Sequence, residues 1–143
     1  MLTSAGYLLL KAGTQFHTVI DDALASLDLN GRQLLVLTFV GTEEHLSQKM
    51  LSTRLGLDPT IVVALVDELE RRALLARERD PEDRRRHRLR LTTAGRKLHA
   101  KAVRTVTDAE RAFLAPLDRT ERAELRRLLV ETMTPRLPWL GGE

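Results

Sequence analysis

The segment that most constrains the fold joins two short helices through a very tight turn. Ser47 is placed to cap the first helix, and Gly56 is placed to end it, because glycine readily adopts the left-handed conformation that terminates helices. A single residue, Leu57, separates this glycine from Asp58, which is placed to cap the second helix. Pro59 then occupies the first helical position, where its missing N–H has no helical partner to lose. Two helices joined in this way predict a helix-turn-helix motif.

The second helix of this motif has two different faces. Its apolar residues recur at the spacing of a buried helical stripe: Val62, Leu65, Val66 and Leu69. The opposite face carries the candidates for contact with a partner: Thr60, Ile61, Val63 and Ala64. Apolar side chains cannot form bidentate hydrogen bonds with bases, but they can contact thymine methyl groups in a major groove. An alternative is that Ile61 and Val63 belong partly to the core or cover a protein surface.

A β-hairpin is predicted directly after this helix. Its strands read LLARERD and HRLRLT, and a charged, proline-containing turn, DPEDRRR, lies between them. In the second strand Leu89 and Leu91 fall on one face and Arg88 and Arg90 on the other. A hairpin in this position is a wing, and an arginine at a wing tip can enter a minor groove. The tip candidates are Asp83, Arg84, Arg85 and Arg86, and the alternative is a solvated hairpin tip.

Helices are predicted on both sides of this region. A first helix covers roughly residues 3–27, and a second begins after Asn30 with Gly41 as its expected stop. A long helix runs from Thr92 or Thr93 to about residue 114, and a last helix begins at a capping box made by Asp118 and Glu121. The predicted fold is therefore mainly α with a small β-hairpin, in the order α-α-α-α-β-β-α-α.

Charge is concentrated in one part of the chain. Residues 71–104 contain thirteen Lys or Arg against four Asp or Glu, a local excess of nine positive charges, whereas the whole chain carries +3. A basic segment on an otherwise acidic body indicates binding to a polyanion such as double-stranded DNA, although a solvated charged face is the simpler reading. On the first helix of the motif, the candidates for phosphate contact are Ser47, Gln48, Lys49 and Arg54.

Several other functions are disfavoured by the residues present. The chain has no Cys, which excludes thiolate catalysis, disulfides and Cys-ligated zinc. The four histidines show no ligand spacing, so no metal site is expected. We find no phosphate-binding glycine loop, nucleophile elbow or acid/base constellation, and we expect neither an enzyme nor a cofactor. No apolar stretch approaches the roughly 20 residues of a membrane span, and a cytoplasmic location is expected.

Residues 46–98 together resemble the MarR family of winged helix-turn-helix transcriptional regulators. The most specific matches are LGLDP, LVDELE, DPEDRR and LTTAG, which occur in the family's order and spacing. The resemblance implies a homodimer in which the first, fifth and sixth helices of each subunit interlock and two winged lobes meet a pseudo-palindromic operator. The DNA-binding lobe would then be residues 29–93, and the helical dimerisation lobe residues 1–28 and 94–143. Within the wing, the resemblance assigns the groove-entering arginine to Arg85.

The resemblance also implies a small aromatic or amphipathic effector and a repressor that the effector releases from DNA. The expected pocket residues are Tyr7, Phe16, His17 and Phe39, unless these side chains are plain core. The chain departs from the family in two places. The outward face of the second helix is apolar where polar residues are common, and Ala73 replaces the usual glycine at the end of that helix. The apolar face favours an alternative function, a winged-helix module that binds a protein.

Overall fold

A computed structural model describes residues 2–81 and 87–137 of the chain. The order of helices and strands confirms the predicted fold class. The elements are α1 (Ala5–Ala25), α2 (Gly31–Thr42), α3 (Gln48–Leu55), α4 (Pro59–Arg71), β1 (Leu75–Arg79), β2 (His87–Leu91), α5 (Thr93–Phe113) and α6 (Arg119–Met133).

The predicted helix caps form as expected from local chemistry. Asn30 and Gln33 make a reciprocal capping box at the start of α2, and Asp118 and Glu121 make another at the start of α6. Ser47 caps α3 by accepting a hydrogen bond from the backbone N–H of Met50 at 3.2 Å. These bonds satisfy amide donors that the first turn of a helix leaves without partners. The start of each of these helices is therefore determined by residues that are close together in the sequence.

The prediction that Gly41 stops α2 is wrong. The helix continues to Thr42, and Glu43 is its C-terminal cap with an extended backbone. A Cβ on Gly41 would lie 3.0 Å from Cδ1 of Leu91, which is tighter than ordinary contact. The glycine therefore serves close packing between α2 and β2, and it does not supply a left-handed turn.

The core lies where α2, α3, α4 and the hairpin meet. β1 and β2 pair antiparallel, with Leu75 opposite Leu91 and Arg79 opposite His87. The N–H of Leu89 also donates to the carbonyl of Leu46 at 2.9 Å, which joins β2 to the segment before α3. The largest fully buried side chains are Leu24, Leu37, Leu46, Leu51, Leu69, Leu75, Leu89, Val36, Val62 and Val66. They belong to one hydrophobic cluster that holds the helix-turn-helix and the hairpin together.

Backbone contacts divide the chain into two units, with the boundary between Ala109 and Glu110. In the second unit, no side chain of α6 is buried within the described residues, and Leu128 and Leu129 are exposed. In the first unit, α1 buries Leu24 but leaves Leu8, Leu9 and Leu10 exposed. The assignment of residues 29–93 to a DNA-binding lobe and of the flanking ranges to a dimerisation lobe stays a prediction. No helix in the described ranges combines the length and apolar character that a membrane crossing requires.

Candidate nucleic-acid interface

Helix α4 is held by one face and presents the other to solvent. Asp58 accepts a hydrogen bond from the N–H of Thr60 at 2.7 Å, and Pro59 occupies the first turn. Val62, Val66 and Leu69 are fully buried, so the orientation of the helix is set by its core contacts. The four predicted contact residues, Thr60, Ile61, Val63 and Ala64, are all exposed. Because Ile61 and Val63 are 40% and 42% exposed, they are not core residues of this chain.

The turn before α4 has the predicted left-handed glycine. Gly56 has a φ of 61°, and its N–H bonds the carbonyls of Ser52 and Thr53. The Ser52 hydroxyl then donates to the carbonyl of Leu57 at 2.7 Å, which fixes the turn from the other side. This turn joins α3 directly to α4, and the two helices pack against each other, as in a helix-turn-helix.

The phosphate-contact candidates on α3 differ in how far they are engaged elsewhere. Lys49 is exposed, and Ser47 is used as the helix cap. The Gln48 side-chain oxygen accepts a hydrogen bond from Nε of Arg77 at 2.9 Å. Arg54 donates from Nε and from a terminal nitrogen to the two carboxylate oxygens of Glu43, at 2.9 and 3.3 Å. Among the phosphate-contact candidates of α3, Lys49 is therefore the positively charged residue best placed to contact a DNA phosphate.

The hairpin has the predicted alternation of side chains. Leu89 and Leu91 are buried against the core, whereas Arg88 is half-buried and Arg90 is exposed. Both arginines approach the same carboxylate oxygen of Glu78 on β1, at 3.6 and 3.4 Å. The predicted wing-tip residues, Asp83, Arg84, Arg85 and Arg86, lie outside the described residues and remain predictions.

Sequence reasoning missed the role of Arg77. Its guanidinium, on β1, pairs with Asp67 and Glu70 of α4 and also reaches Gln48 of α3. Burial alone would lower the pKa of Arg77, but the hydrogen bond to Asp67 and the charge of Glu70 outweigh it and raise the pKa above its ordinary value. The available signal was the spacing of Asp67 and Glu70, which places two carboxylates on one flank of a helix.

The four predicted effector-pocket residues have separate surroundings. Lys11 lies 5.8 Å from the ring centroid of Tyr7, and His17 pairs with Asp21 at 3.4 Å. Phe16 is half-buried on α1, and Phe39 packs against the core from α2. A cavity of about 420 Å³ lies elsewhere, and none of these four residues lines it. The pocket assignment stays a prediction.

The other histidines also make local contacts. His45 lies 3.5 Å from Asp80, and His99 bonds the Thr38 hydroxyl at 3.0 Å. Burial lowers the pKa of His99. Across residues 2–81 and 87–137, no cluster of three or more His, Asp or Glu side chains is arranged to hold a metal ion.

Comparison with known proteins agrees with this geometry. A family model described as the MarR family matches residues 27–86. The uncharacterized HTH-type transcriptional regulator YdcH of Bacillus subtilis is 30% identical over 117 residues, which cover 79% of this chain and 80% of that protein. A putative transcriptional regulatory protein for the hcr operon of Thauera aromatica is 32% identical over 94 residues. That match covers 66% of this chain and 57% of the Thauera protein.

Solved structures agree over nearly the whole chain. CouR from Rhodococcus jostii RHA1, in a crystal structure with p-coumaroyl-CoA, is 31% identical with a TM-score of 0.82, and the match covers 95% of this chain and 94% of CouR. CouR bound to a 23-mer DNA duplex gives 32% identity and the same TM-score, over 90% of this chain and 92% of that one. The chain has a helix-turn-helix followed by a β-hairpin, it matches the MarR family model, and it is at least 30% identical to YdcH and CouR over most of their length. It therefore belongs to the MarR family of transcriptional regulators.

Proposed function

We propose that this chain is a sequence-specific DNA-binding regulator that acts on a pseudo-palindromic operator as a homodimer. The observation that carries the proposal is the mounting of α4. Its inner face is locked into the core through Val62, Val66 and Leu69, and its outer face is free for a major groove. A helix fixed in this way can present the same side chains to every DNA site it meets.

Base reading would come from an unusually apolar surface. Ile61 and Val63 offer methyl groups for contact with thymine, and Thr60 offers a hydroxyl. Because apolar contacts discriminate weakly among bases, DNA shape contributes a large share of the specificity. Lys49 on α3 and the predicted wing residues Arg84, Arg85 and Arg86 supply contacts that depend on phosphate charge and groove width.

The exposed apolar residues of α1 and α6 support a second copy of the chain as partner. Leu8, Leu9 and Leu10 are exposed on α1, and Leu128 and Leu129 are exposed on α6. A 15-residue helix with no buried side chain among the described residues gains little from packing in a single chain. A homodimer in which α1, α5 and α6 interlock would cover these surfaces.

We further propose that the protein is a cytoplasmic repressor that a small amphipathic molecule releases from DNA. CouR supplies the support by similarity, because that protein is described as a transcriptional repressor and has structures both with DNA and with p-coumaroyl-CoA.

Selection of bound duplexes from a random pool, followed by binding titrations, tests the proposal. We expect enrichment of inverted half-sites whose centres are about one helical turn apart. Affinity for random duplex should fall steeply with salt, because neutralised phosphates release their counterions.

Arg85→Ala should weaken operator binding by about 1–3 kcal/mol per subunit. Arg126→Ala on α6 is the control and should bind like wild type. No enrichment of any sequence would contradict the proposal.

The second candidate function is a winged-helix module that binds a protein. The exposed apolar side chains of Ile61, Val63 and Met50 favour it, since an apolar surface suits a protein partner. This function predicts weak binding to random duplex with little dependence on salt. The salt titration therefore separates the two functions directly.

A further inference from the structure

The outward side of α4 in its first two turns offers methyl groups and very little hydrogen bonding. Ile61, Val63 and Ala64 are exposed there, and Thr60 contributes a single hydroxyl. In a major groove, apolar side chains of this kind can contact only the apolar part of a base edge. That part is a methyl group on C5 of a pyrimidine.

The longer polar side chains of α3 are engaged within the protein. The side-chain oxygen of Gln48 accepts a hydrogen bond from Nε of Arg77 at 2.9 Å. A glutamine needs both its oxygen and its amino group for a bidentate pair with adenine, so this bond removes that option. Arg54 donates to both carboxylate oxygens of Glu43, at 2.9 and 3.3 Å, and turning it towards a guanine would cost this ion pair. Bidentate reading of purines from α3 is therefore disfavoured.

The exposed cations of the two helices do not supply the missing donors. Arg71 comes eight residues after Val63, which is about 12 Å along the axis of α4, so it serves other base pairs than those next to Val63. Lys49 is the residue proposed for phosphate contact, which orients the protein on DNA and does not select bases.

A carboxylate on the outward side of α4 favours cytosine over thymine. Glu68 is exposed and lies on one stripe with Ile61 and Ala64, at spacings of three and four residues. Because Cα–Cβ bonds tilt towards the N-terminus of a helix, a long side chain at this position can reach back over Ala64. A carboxylate accepts a hydrogen bond from the N4 amino group of cytosine, whereas it repels the O4 acceptor of thymine.

Thymine and 5-methylcytosine carry the same methyl group at the same place in the major groove. They differ at position 4, where thymine has an acceptor and 5-methylcytosine has a donor. We infer that α4 recognises the C5-methyl group itself, through Ile61 and Val63, and that Glu68 accepts from the amino group of a methylated cytosine. The protein then binds a duplex that contains 5-methylcytosine more tightly than the same duplex with cytosine. The inference rests on the proposed function, because it requires α4 in a major groove.

A set of four operators tests the inference. They differ from one another at one pyrimidine position of each half-site, where the pair is T:A, U:A, 5-methylcytosine:G or C:G. Methyl group and base identity therefore vary independently. We expect removal of the methyl group to weaken binding about fourfold for each methyl group contacted, both from T:A to U:A and from 5-methylcytosine:G to C:G. Equal affinity for the methylated and unmethylated cytosine operators at every position would overturn the inference.

The double variant Ile61→Ala/Val63→Ala separates methyl contact from DNA shape, since methylation also alters the duplex itself. It should bind methylated and unmethylated operators equally. If it no longer binds DNA, each single substitution should still reduce the ratio of the two affinities. Val103→Ala on α5 is the matched control, because this valine is as exposed as Val63, and it should keep the wild-type ratio. A ratio that the alanine variants of α4 leave unchanged would overturn the inference.

Glu68→Gln tests the carboxylate separately. The glutamine keeps the shape of the side chain and removes its charge, so the variant should lose about fivefold in affinity for the 5-methylcytosine operator relative to the thymine operator. Glu110→Gln removes an exposed carboxylate away from α4 and should leave this ratio unchanged. An unchanged ratio in Glu68→Gln would overturn the role of Glu68 and leave methyl recognition standing.

Failure of the inference and failure of the proposed function give different results. A protein that selects an operator but does not respond to methylation keeps the proposed function and loses the inference. A protein that selects no operator is titrated with random duplex in which every cytosine is methylated, and with the same pool unmethylated. Preference for the methylated pool would support methyl recognition without sequence-specific regulation. Equal binding to the two pools, or binding to neither, would overturn both.

Discussion

The start of α5 depends on a very close approach of two backbones. The Thr92 hydroxyl donates to the carbonyl of Ala73 at 2.7 Å and accepts from the N–H of Gly95 at 3.0 Å. A Cβ on Gly95 would lie 1.8 Å from the carbonyl oxygen of Leu74, a distance that no flexible side chain can relieve. The LTTAG motif is therefore a packing requirement between α5 and the chain that leaves α4.

Gly95→Ala should destabilise the protein by about 3 kcal/mol, because the backbone itself must move to admit the methyl group. Urea unfolding measures the change as a lower midpoint. Gly13→Ala on α1 is the matched control, since nothing lies within 4 Å of its Cβ position and alanine favours a helix interior. Equal stability of the two variants would contradict the close approach.

Ala73 carries a left-handed backbone at the end of α4, with a φ of 54°. In this region the Cβ of alanine lies too close to the following carbonyl oxygen, and glycine, which has no Cβ, avoids this clash. Ala73→Gly should therefore stabilise the fold by about 1 kcal/mol, even though glycine has the more flexible unfolded chain. Ala76→Gly in β1 is the control and should destabilise. The two substitutions should shift the midpoint of thermal unfolding in opposite directions. A shift of both midpoints in the same direction would contradict the strain at Ala73.

His99 should make stability fall in mild acid. Its pKa is lowered by burial in the folded state, so the unfolded chain takes up the proton first as the pH drops. The contribution of the neutral His99 side chain to the free energy of unfolding is fully present above the unfolded pKa of about 6.5. It is lost progressively as the pH falls below that value towards the pKa in the folded protein. Urea unfolding at a series of pH values measures this slope. His99→Gln keeps a polar group beside Thr38 and should flatten it, whereas an unchanged slope would contradict the effect.

Helix α4 is held in position from two sides. The core holds its inner face, and Arg77 ties its flank to β1 and α3 through Asp67, Glu70 and Gln48. Arg77 also offsets carboxylate charge on a helix that is proposed to approach phosphates. This ion-pair network therefore serves both the geometry and the electrostatics of the interface.

Replacing thymine by uracil in the selected operator tests base reading by α4. The replacement removes one methyl group and keeps base pairing, so loss of a buried contact with Val63 should cost about 1 kcal/mol at one or two positions per half-site. Val63→Ala should reduce this cost, and Thr60→Ala should leave it unchanged. Unaltered affinity for a fully uracil-substituted operator would move base reading to Thr60 or to α3.

For the whole molecule, the main prediction is the interlocked homodimer. Leu128→Glu combined with Leu129→Glu should convert a dimer into a 16.2 kDa monomer, because two buried charges without partners cannot be accommodated in an apolar interface. Sedimentation velocity at micromolar concentration measures the change. Val63→Glu on α4 is the matched control and should stay dimeric. A monomeric wild-type protein would contradict the prediction.

The order of the elements, most of the helix boundaries and the two faces of α4 could all be predicted from the amino-acid sequence. These depend on contacts within a few residues: the caps at Asn30, Ser47 and Asp118, the glycine at position 56, and the periods of 3.6 and 2 along helix and strand. The alternation of buried and exposed side chains around Leu89 and Leu91 is also a local feature. Local features can be predicted because the interacting groups are already close together in the sequence.

Which side chains meet across long stretches of chain becomes known only from the three-dimensional structure. Gly41 faces Leu91, Arg77 reaches Gln48, and Gly95 touches the carbonyl of Leu74. The cavity of about 420 Å³ likewise joins the end of α2 to β2 and α5. None of these contacts follows from local spacing, because each one depends on how separate elements pack around the shared core.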